Sequence, residues 1–288
     1  MVIAWVLNLD AEDELALGGF AHTPAPRTVE RIRSLLPRLE ALVRTSRILF
    51  PHRLGDERHG EGPLTGYAWS PTRYALKIMA ESGVTPAPHA PMPVLCRVNH
   101  RRFNAQLGQT LEGAHYVDSL SSMPPGAWLL KRPYGYAGRG RRKVTDALTP
   151  ADRAFIAAST DGLQVEPWVD RILDCAIHGW LNADGTCHLG HPTLQTVDDA
   201  GAWQSTERTN VLTHNESAAL HNEAVLAAKA LHAEGYFGPF NLDAYRWRDA
   251  DGHERFQPRS EINARFSMGW AIGMGDFRLP LLDAQRPR

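Results

Sequence analysis

The sequence predicts an α+β chain, mixed α/β in character, and three observations predict it. Strand-like and helix-like segments are interleaved without strict alternation. The first 65 or so residues open β-α-β, the start of a Rossmann-like unit. Late in the chain, two long segments of alternating polarity flank Asp249-Ala-Asp-Gly252, a turn signal that makes them a hairpin.

Element by element, Val2 to Asn8 reads as a buried strand, and the acidic stretch Asp10 to Glu14 leads into a loop. From Thr28 to Arg44, apolar Val29, Ile32, Leu35, Leu36, Leu39 and Val43 recur at helical spacing, with Pro37 expected to kink or break the helix. Arg47 to Phe50 is a short strand, and the Gly-rich, charged segment Gly55 to Gly66 marks a boundary. Ser70-Pro71 resembles a capped helix start, giving a helix over 71–82 that Gly83 stops. Val94 to Val98 reads as a strand and Asn99 to Gly108 as an arginine-rich helix. Ala127 to Arg132 and Arg142 to Thr145 are strands around a glycine loop, and Thr149 to Asp152 caps a helix at Ala154 to Ala158. Leu163 to Glu166 and Ile172 to Leu181 are strands, and Ala183-Asp-Gly185 turns into a strand at Thr186 to Leu189. Glu216 to Glu234 is the clearest helix, ended by Gly235.

Bulk properties exclude several classes. The 288 residues are 43% hydrophobic and 22% charged, and 31 Lys and Arg against 32 Asp and Glu leave a net charge of -1. No global field favours nucleic acid or an anionic membrane. Cys96, Cys175 and Cys187 form no paired framework and no C-x-x-C, which fits a reducing, cytoplasmic setting. The apolar run at Met1 to Leu9 is too short to span a membrane and carries no basic leader.

The hairpin carries chemistry. Side chains alternate across a strand, so Asn241, Asp243, Tyr245 and Trp247 share one face, opposite apolar Phe240, Leu242 and Ala244. On the returning strand Arg259, Glu261 and Asn263 share a polar face. If the apolar faces coincide, Asp243, Glu261 and Asn263 converge with Arg259 beside them, a donor set suited to a hard cation such as magnesium. The plainer reading is a half-solvated hairpin, and Pro258 belongs at an edge or a bulge. Upstream, Lys131 at a strand end precedes Gly135, Gly138 and Gly140, then another strand. Such glycines admit an anion close to the backbone. Arg141-Arg142 in place of Lys-Ser/Thr argues against a P-loop, and the following strand argues against a dinucleotide fingerprint. A basic hairpin contacting RNA through Tyr134 and Tyr136 is the alternative.

The strand lysine with its glycine loop, Val165-Glu166-Pro167-Trp168-Val169, Asp243, and Glu261-Ile-Asn-Ala-Arg265 occur in an order that resembles the ATP-grasp superfamily. That resemblance implies an N-terminal Rossmann-like domain at 1–68, a small subdomain at 69–168 and a large one at 169–288. It implies that Lys131 contacts the nucleotide and that Gly135, Tyr136, Ala137, Gly138 and Gly140 form a flap over phosphates. Glu166, Pro167, Trp168 and Val169 would be the adenine-reading hinge, Asp174 the ribose ligand, and Asp243, Glu261 and Asn263 the magnesium ligands. Arg265, Arg259 and Lys131 would act on the transferring phosphoryl group, and Arg208 would reach the phosphates. The family's first lysine has no counterpart beyond Arg73, and Ala264 replaces a usual proline. ATP with Mg2+, or Mn2+ in its place, is the implied cofactor set. The implied reaction is carboxylate-amine ligation through an acylphosphate on small-molecule substrates; the oligomeric state stays open, a homodimer among the options. A kinase and a non-catalytic nucleotide- or RNA-binding protein are the alternatives. Cys187 and His191 with His178 nearby lack the ligand count for zinc. Arg97 to Arg102 is a candidate contact for an acidic acceptor, an exposed helix start being the plainer reading.

Overall fold

The computed structural model describes residues 3–19, 22–43, 47–49, 64–198 and 203–280. Residues 51–63, most of the expected boundary segment, lie outside them, as do Phe50 and Arg44.

The N-terminal unit is a parallel sheet of β1 (Ala4–Val6), β2 (Arg47–Leu49), β3 (Leu64–Ala68) and β4 (Val84–Pro86), in the order β2-β1-β3-β4. Parallel strands covered on both faces need continuous apolar character, and Ala4, Trp5 and Val6 are all buried. Because β4 pairs with β3, this unit extends past the expected boundary at 68. Between β1 and β2 lie α1 (Ala11–Ala16), α2 (Pro26–Leu35), a 3₁₀ turn at Leu36–Leu39 and α3 (Glu40–Val43). Pro37 breaks the helix as expected. The Asp10 to Glu14 stretch, expected to lead into a loop, is helical: Glu12, Asp13 and Glu14 sit in the first turn, where negative charge suits the helix dipole, and Leu15 is buried.

The next helix, α4 (Arg73–Glu81), begins later than the Ser70-Pro71 signal suggested. Asn8 explains the delay: its Nδ2 donates to the Ser70 carbonyl at 2.8 Å and to Thr72 Oγ1 at 3.0 Å, fixing that segment in extended form. The expected strand at Val94 to Val98 is instead helix α5 (Met92–Asn99). Pro93 in its first turn favours a helix start, and Val94, Leu95 and Val98 make one buried face. Helix α6 (Arg101–Gln106) follows.

A second sheet, ordered β5-β8-β6-β7, contains β5 (His115–Val117), β6 (Ala127–Lys131), β7 (Arg141–Thr145) and β8 (Leu163–Pro167), with α7 (Pro150–Ala157) between the last two. The third is antiparallel, ordered β12-β11-β9-β13-β14, with β10 also on β9. Its members are β9 (Asp170–Leu181), β10 (Cys187–Leu189), β11 (Thr193–Val197), β12 (Trp203–Arg208), β13 (Gly238–Arg248) and β14 (Glu254–Asn263). Helix α8 (His214–Ala233) starts with a Thr213/Glu216 capping box and packs Leu220, Ala224, Ala227 and Leu231 against Ile177, Phe240 and Leu242 of this sheet. Beyond β14, Phe266 and α9 (Trp270–Met274) turn back onto Trp5 and Trp180, joining the N-terminal unit to the large sheet.

Candidate functional site

The second and third sheets, with α2 and the segments after β1 and β3 of the N-terminal unit, line one cleft of about 1060 Å³. Its floor is the β13/β14 hairpin. The register pairs Asn241 with Asn263 and Asp243 with Glu261, so all four side chains share a face. Beyond Asp243 the register shifts: Tyr245 pairs with Gln257, leaving Pro258, Arg259 and Ser260 opposite Ala244. This bulge corrects the placement of Arg259. Its side chain lies behind the sheet, 2% exposed, with Nε donating to Glu223 Oε2 at 2.7 Å, Nη1 to the Asn104 carbonyl at 2.6 Å and Nη2 to the Gly108 carbonyl at 2.8 Å. It does not line the cleft.

Asp243 and Glu261 occupy contrasting electrostatic settings. Burial, then the neighbouring Glu261 charge, pushes Asp243 up to about 6. Three amides partly compensate: Asn241 Nδ2 donates to Oδ1 at 2.9 Å, Gln195 Nε2 to Oδ1 at 3.2 Å and Asn263 Nδ2 to Oδ2 at 3.0 Å. Burial also raises Glu261, but Arg101, Lys131 and Arg265 outweigh it and hold the carboxyl below its ordinary value. Arg101 Nη2 donates to Glu261 Oε1 at 2.6 Å. Arg265 donates from Nε to buried Glu12, from Nη1 to the Phe266 carbonyl and from Nη2 to Asn263 Oδ1 at 3.1 Å. Burial raises the Glu12 carboxyl despite that partner.

This donor set fits a hard divalent cation. Two carboxylates and two amides converge, and Asn241 Oδ1 is buried without a hydrogen-bond partner, an oxygen a cation or its water would satisfy. Asn263 turns its amide nitrogen to Asp243 and its oxygen to Arg265; an amide flip exchanges the two.

The other expected residues divide. Lys131 and Glu166 line the cleft as a buried ion pair, 6% and 3% exposed, on adjacent strands β6 and β8. Pro167, Trp168 and Val169 line its wall, with the Lys143 ammonium 4.1 Å over the Trp168 ring. Asp174 is at the floor, its Oδ1 3.3 Å from Arg171 Nη1. Arg208 does not reach the cleft: Val197 pairs with Trp203 at the cleft end of the β11/β12 hairpin, whereas Arg208 sits at the other end, with Nε donating to the Ile272 carbonyl at 3.0 Å. Arg73 is likewise absent from the lining.

The glycine loop joins β6 to β7 over the cleft. Ala137, Gly138 and Gly140 adopt φ of 47°, 76° and 71°, and the Arg132 amide donates to the Gly140 carbonyl at 2.7 Å. Tyr136 crosses to the N-terminal unit, its hydroxyl donating to Asp13 Oδ2 at 2.8 Å. A Cβ on Gly135 would lie 2.6 Å from the Arg139 carbonyl oxygen, a distance real Cβ atoms do not tolerate. If the loop covers a nucleotide, as the resemblance implies, Gly135→Ala is expected to distort the loop and weaken ATP binding about tenfold or more without lowering the melting temperature appreciably; calorimetric titration with ATP and a thermal melt check both halves.

Arg101 was legible only as part of a basic cluster; within that cluster Arg97 pairs with Glu234 and Arg102 with Asp118, leaving Arg101 alone of the three at the site. Gln195, Glu12 and Asp10 carried no local signal. Among the described residues the cluster of three His, Cys, Asp or Glu groups within metal-binding reach is Asp249, Asp251 and His253 in the exposed hairpin turn, and Cys187, His178 and His191 are not in it. His178 is fully buried and pushed down to about 3 by burial, hence neutral.

No protein-family model matches the chain. The butirosin acyl-carrier protein L-glutamate ligase of Niallia circulans is 25% identical over 227 residues, 69% of this chain and 49% of that protein. An N5-carboxyaminoimidazole ribonucleotide synthase of Synechocystis sp. is 29% identical over 136 residues, 45% of this chain and 34% of that protein. The matched regions thus span about half of one curated relative and a third of the other. Among solved structures, Campylobacter jejuni biotin carboxylase superposes with a TM-score of 0.51 at 13% identity, covering 97% of this chain and 72% of its own.

Proposed function

Given a chain that has the ATP-grasp fold, we propose that it is an ATP-dependent ligase joining a carboxylate to an amine through an acylphosphate. The observation that carries this reading is the convergence of Asp243, Glu261, Lys131, Arg101 and Arg265 in one cleft beneath the glycine loop. Free cysteines fit a cytoplasmic protein, and no helix among the described residues is long and apolar enough to cross a membrane.

In this reading ATP lies between the loop and the large sheet, its adenine against Pro167 to Val169 and its ribose near Asp174. Asp243 and Glu261, with the Asn241 and Asn263 amides, would hold magnesium, or manganese in its place, which supplies charge neutralisation at the transferring phosphoryl group. Arg265 and Lys131 add fixed positive charge there. Arg101, at the start of α6, supplies the basic residue for which Arg73 was the expected substitute. The carboxylate attacks the terminal phosphorus, ADP leaves, and the amine displaces phosphate from the acylphosphate. No enzyme nucleophile is needed, so the protein contributes position, charge and exclusion of water by the loop.

The test follows from the intermediate. ADP release in Mg-ATP should require a carboxylate, and hydroxylamine should trap that carboxylate as a hydroxamate identifiable by mass spectrometry. A stable phosphorylated alcohol, with no hydroxamate from any active acceptor, would reject the ligase in favour of a kinase.

A further inference from the structure

One wall of the cleft has no part in the chemistry above. It belongs to the N-terminal unit: Asp10 follows β1, Trp69 follows β3, and α2 turns Arg27, Arg31, Ile32 and Leu35 toward the cleft along a single helical face. Both arginines are exposed, and neither guanidinium has an ion-pair partner among the described residues. Asp10 is of the opposite kind. It is 2% exposed, its Oδ2 lies 2.9 Å from His22 Nε2, and its Oδ1 has no partner. Although Asp10 stands at the N-cap of α1, its side chain does not cap the helix. A buried carboxylate oxygen without a donor is costly, so the wall is built to receive one.

We propose that this wall binds the amine-bearing co-substrate and that the co-substrate is an apolar α-amino acid; this rests on the ligase reading. Its amino group donates to Asp10 Oδ1, its carboxylate meets Arg27 and Arg31, and its side chain packs on Ile32, Leu35 and Trp69. Burial sets the orientation: the amine points inward to the buried aspartate, and the carboxylate points out to the exposed arginines. Trp69 also connects this wall to the reacting centre, since the Arg265 guanidinium carbon lies 5.8 Å from its ring centroid. Asp10 takes one proton from the bound ammonium and frees its electron pair to attack; as the C–N bond forms and the C–O bond to phosphate breaks, phosphate departs with the electron pair of that bond and takes up the second amine proton. An amine lacking the carboxylate leaves two arginines unanswered, and bidentate guanidinium-carboxylate pairing is the stronger kind of charge-assisted bond.

Calorimetric titration of the full chain, with Mg2+ and a non-hydrolysable ATP analogue present, tests this. L-Leucine and L-phenylalanine are expected to bind at least tenfold more tightly than their decarboxylated amines, and Arg27→Ala/Arg31→Ala should erase that preference while the affinity for the ATP analogue holds. Equal binding of amino acid and amine by the wild type, an unchanged preference in the double variant, or tighter binding of a phosphate-bearing amine would each overturn the assignment. Titration of the ATP analogue alone separates the two readings, because a chain that binds the nucleotide but no amino acid loses only this inference.

Discussion

Glu261→Gln and Asp243→Asn are each expected to lower turnover by about a thousandfold while the chain still folds, a loss of transition-state stabilisation of roughly 4 kcal/mol. Each removes one charged oxygen from the floor of the cleft without opening a cavity. Neither carboxylate is part of the packed face of the hairpin, where Leu242 and Ile262 are. The Glu261 variant carries a second expectation. The Glu261 charge is the second cause, after burial, of the upward displacement of Asp243 to about 6, so Asp243 in metal-free Glu261→Gln should titrate at lower pH than in the parent. Carbon-detected NMR of the Asp243 carboxyl reads that shift, and ADP release under saturating Mg-ATP reads turnover. Near-normal turnover in both variants would remove the metal assignment.

Arg259→Ala should act on stability instead. The substitution leaves the Glu223 carboxylate without its partner and strands the carbonyls of Asn104 and Gly108, all facing a guanidinium that is 2% exposed. Two carbonyls left unanswered beside a partly exposed carboxylate cost about 3 kcal/mol, enough to show as a lower midpoint in urea. Affinity for ATP per folded molecule should stay near that of the parent, since Arg259 does not line the cleft. A variant of parental stability that turns over slowly would restore the catalytic role the sequence suggested.

These three residues show where sequence reading succeeds and where it stops. Asp243, Glu261 and Asn263 were legible because alternation along a strand is local and the turn between the strands is marked. Arg259 was misplaced because alternation fails at a bulge, and only Pro258 hinted at one. Arg208 needed the direction in which the β11/β12 hairpin runs, which pairing with β9 decides. Arg101 reaches Glu261 across 160 positions, a separation at which no spacing rule operates. Local propensity misread α5, where β-branched residues suggested a strand and Pro93 with the buried face decided for a helix. The glycine loop and the Trp168-Val169 connection were legible as links between strands because the strands on either side have clear polarity.

The Arg265–Glu12 ion pair joins positions 253 apart, and the contact has a temporal meaning. On the ribosome the chain emerges from its N-terminus, so the parallel sheet and α1 are available long before β14 and the residues after it. Until residue 265 is free of the exit tunnel, Glu12 has no arginine, and the corner of the cleft that Arg265 lines is open. Loop closure over so long a span therefore makes completion of the cleft a late event in folding and in refolding.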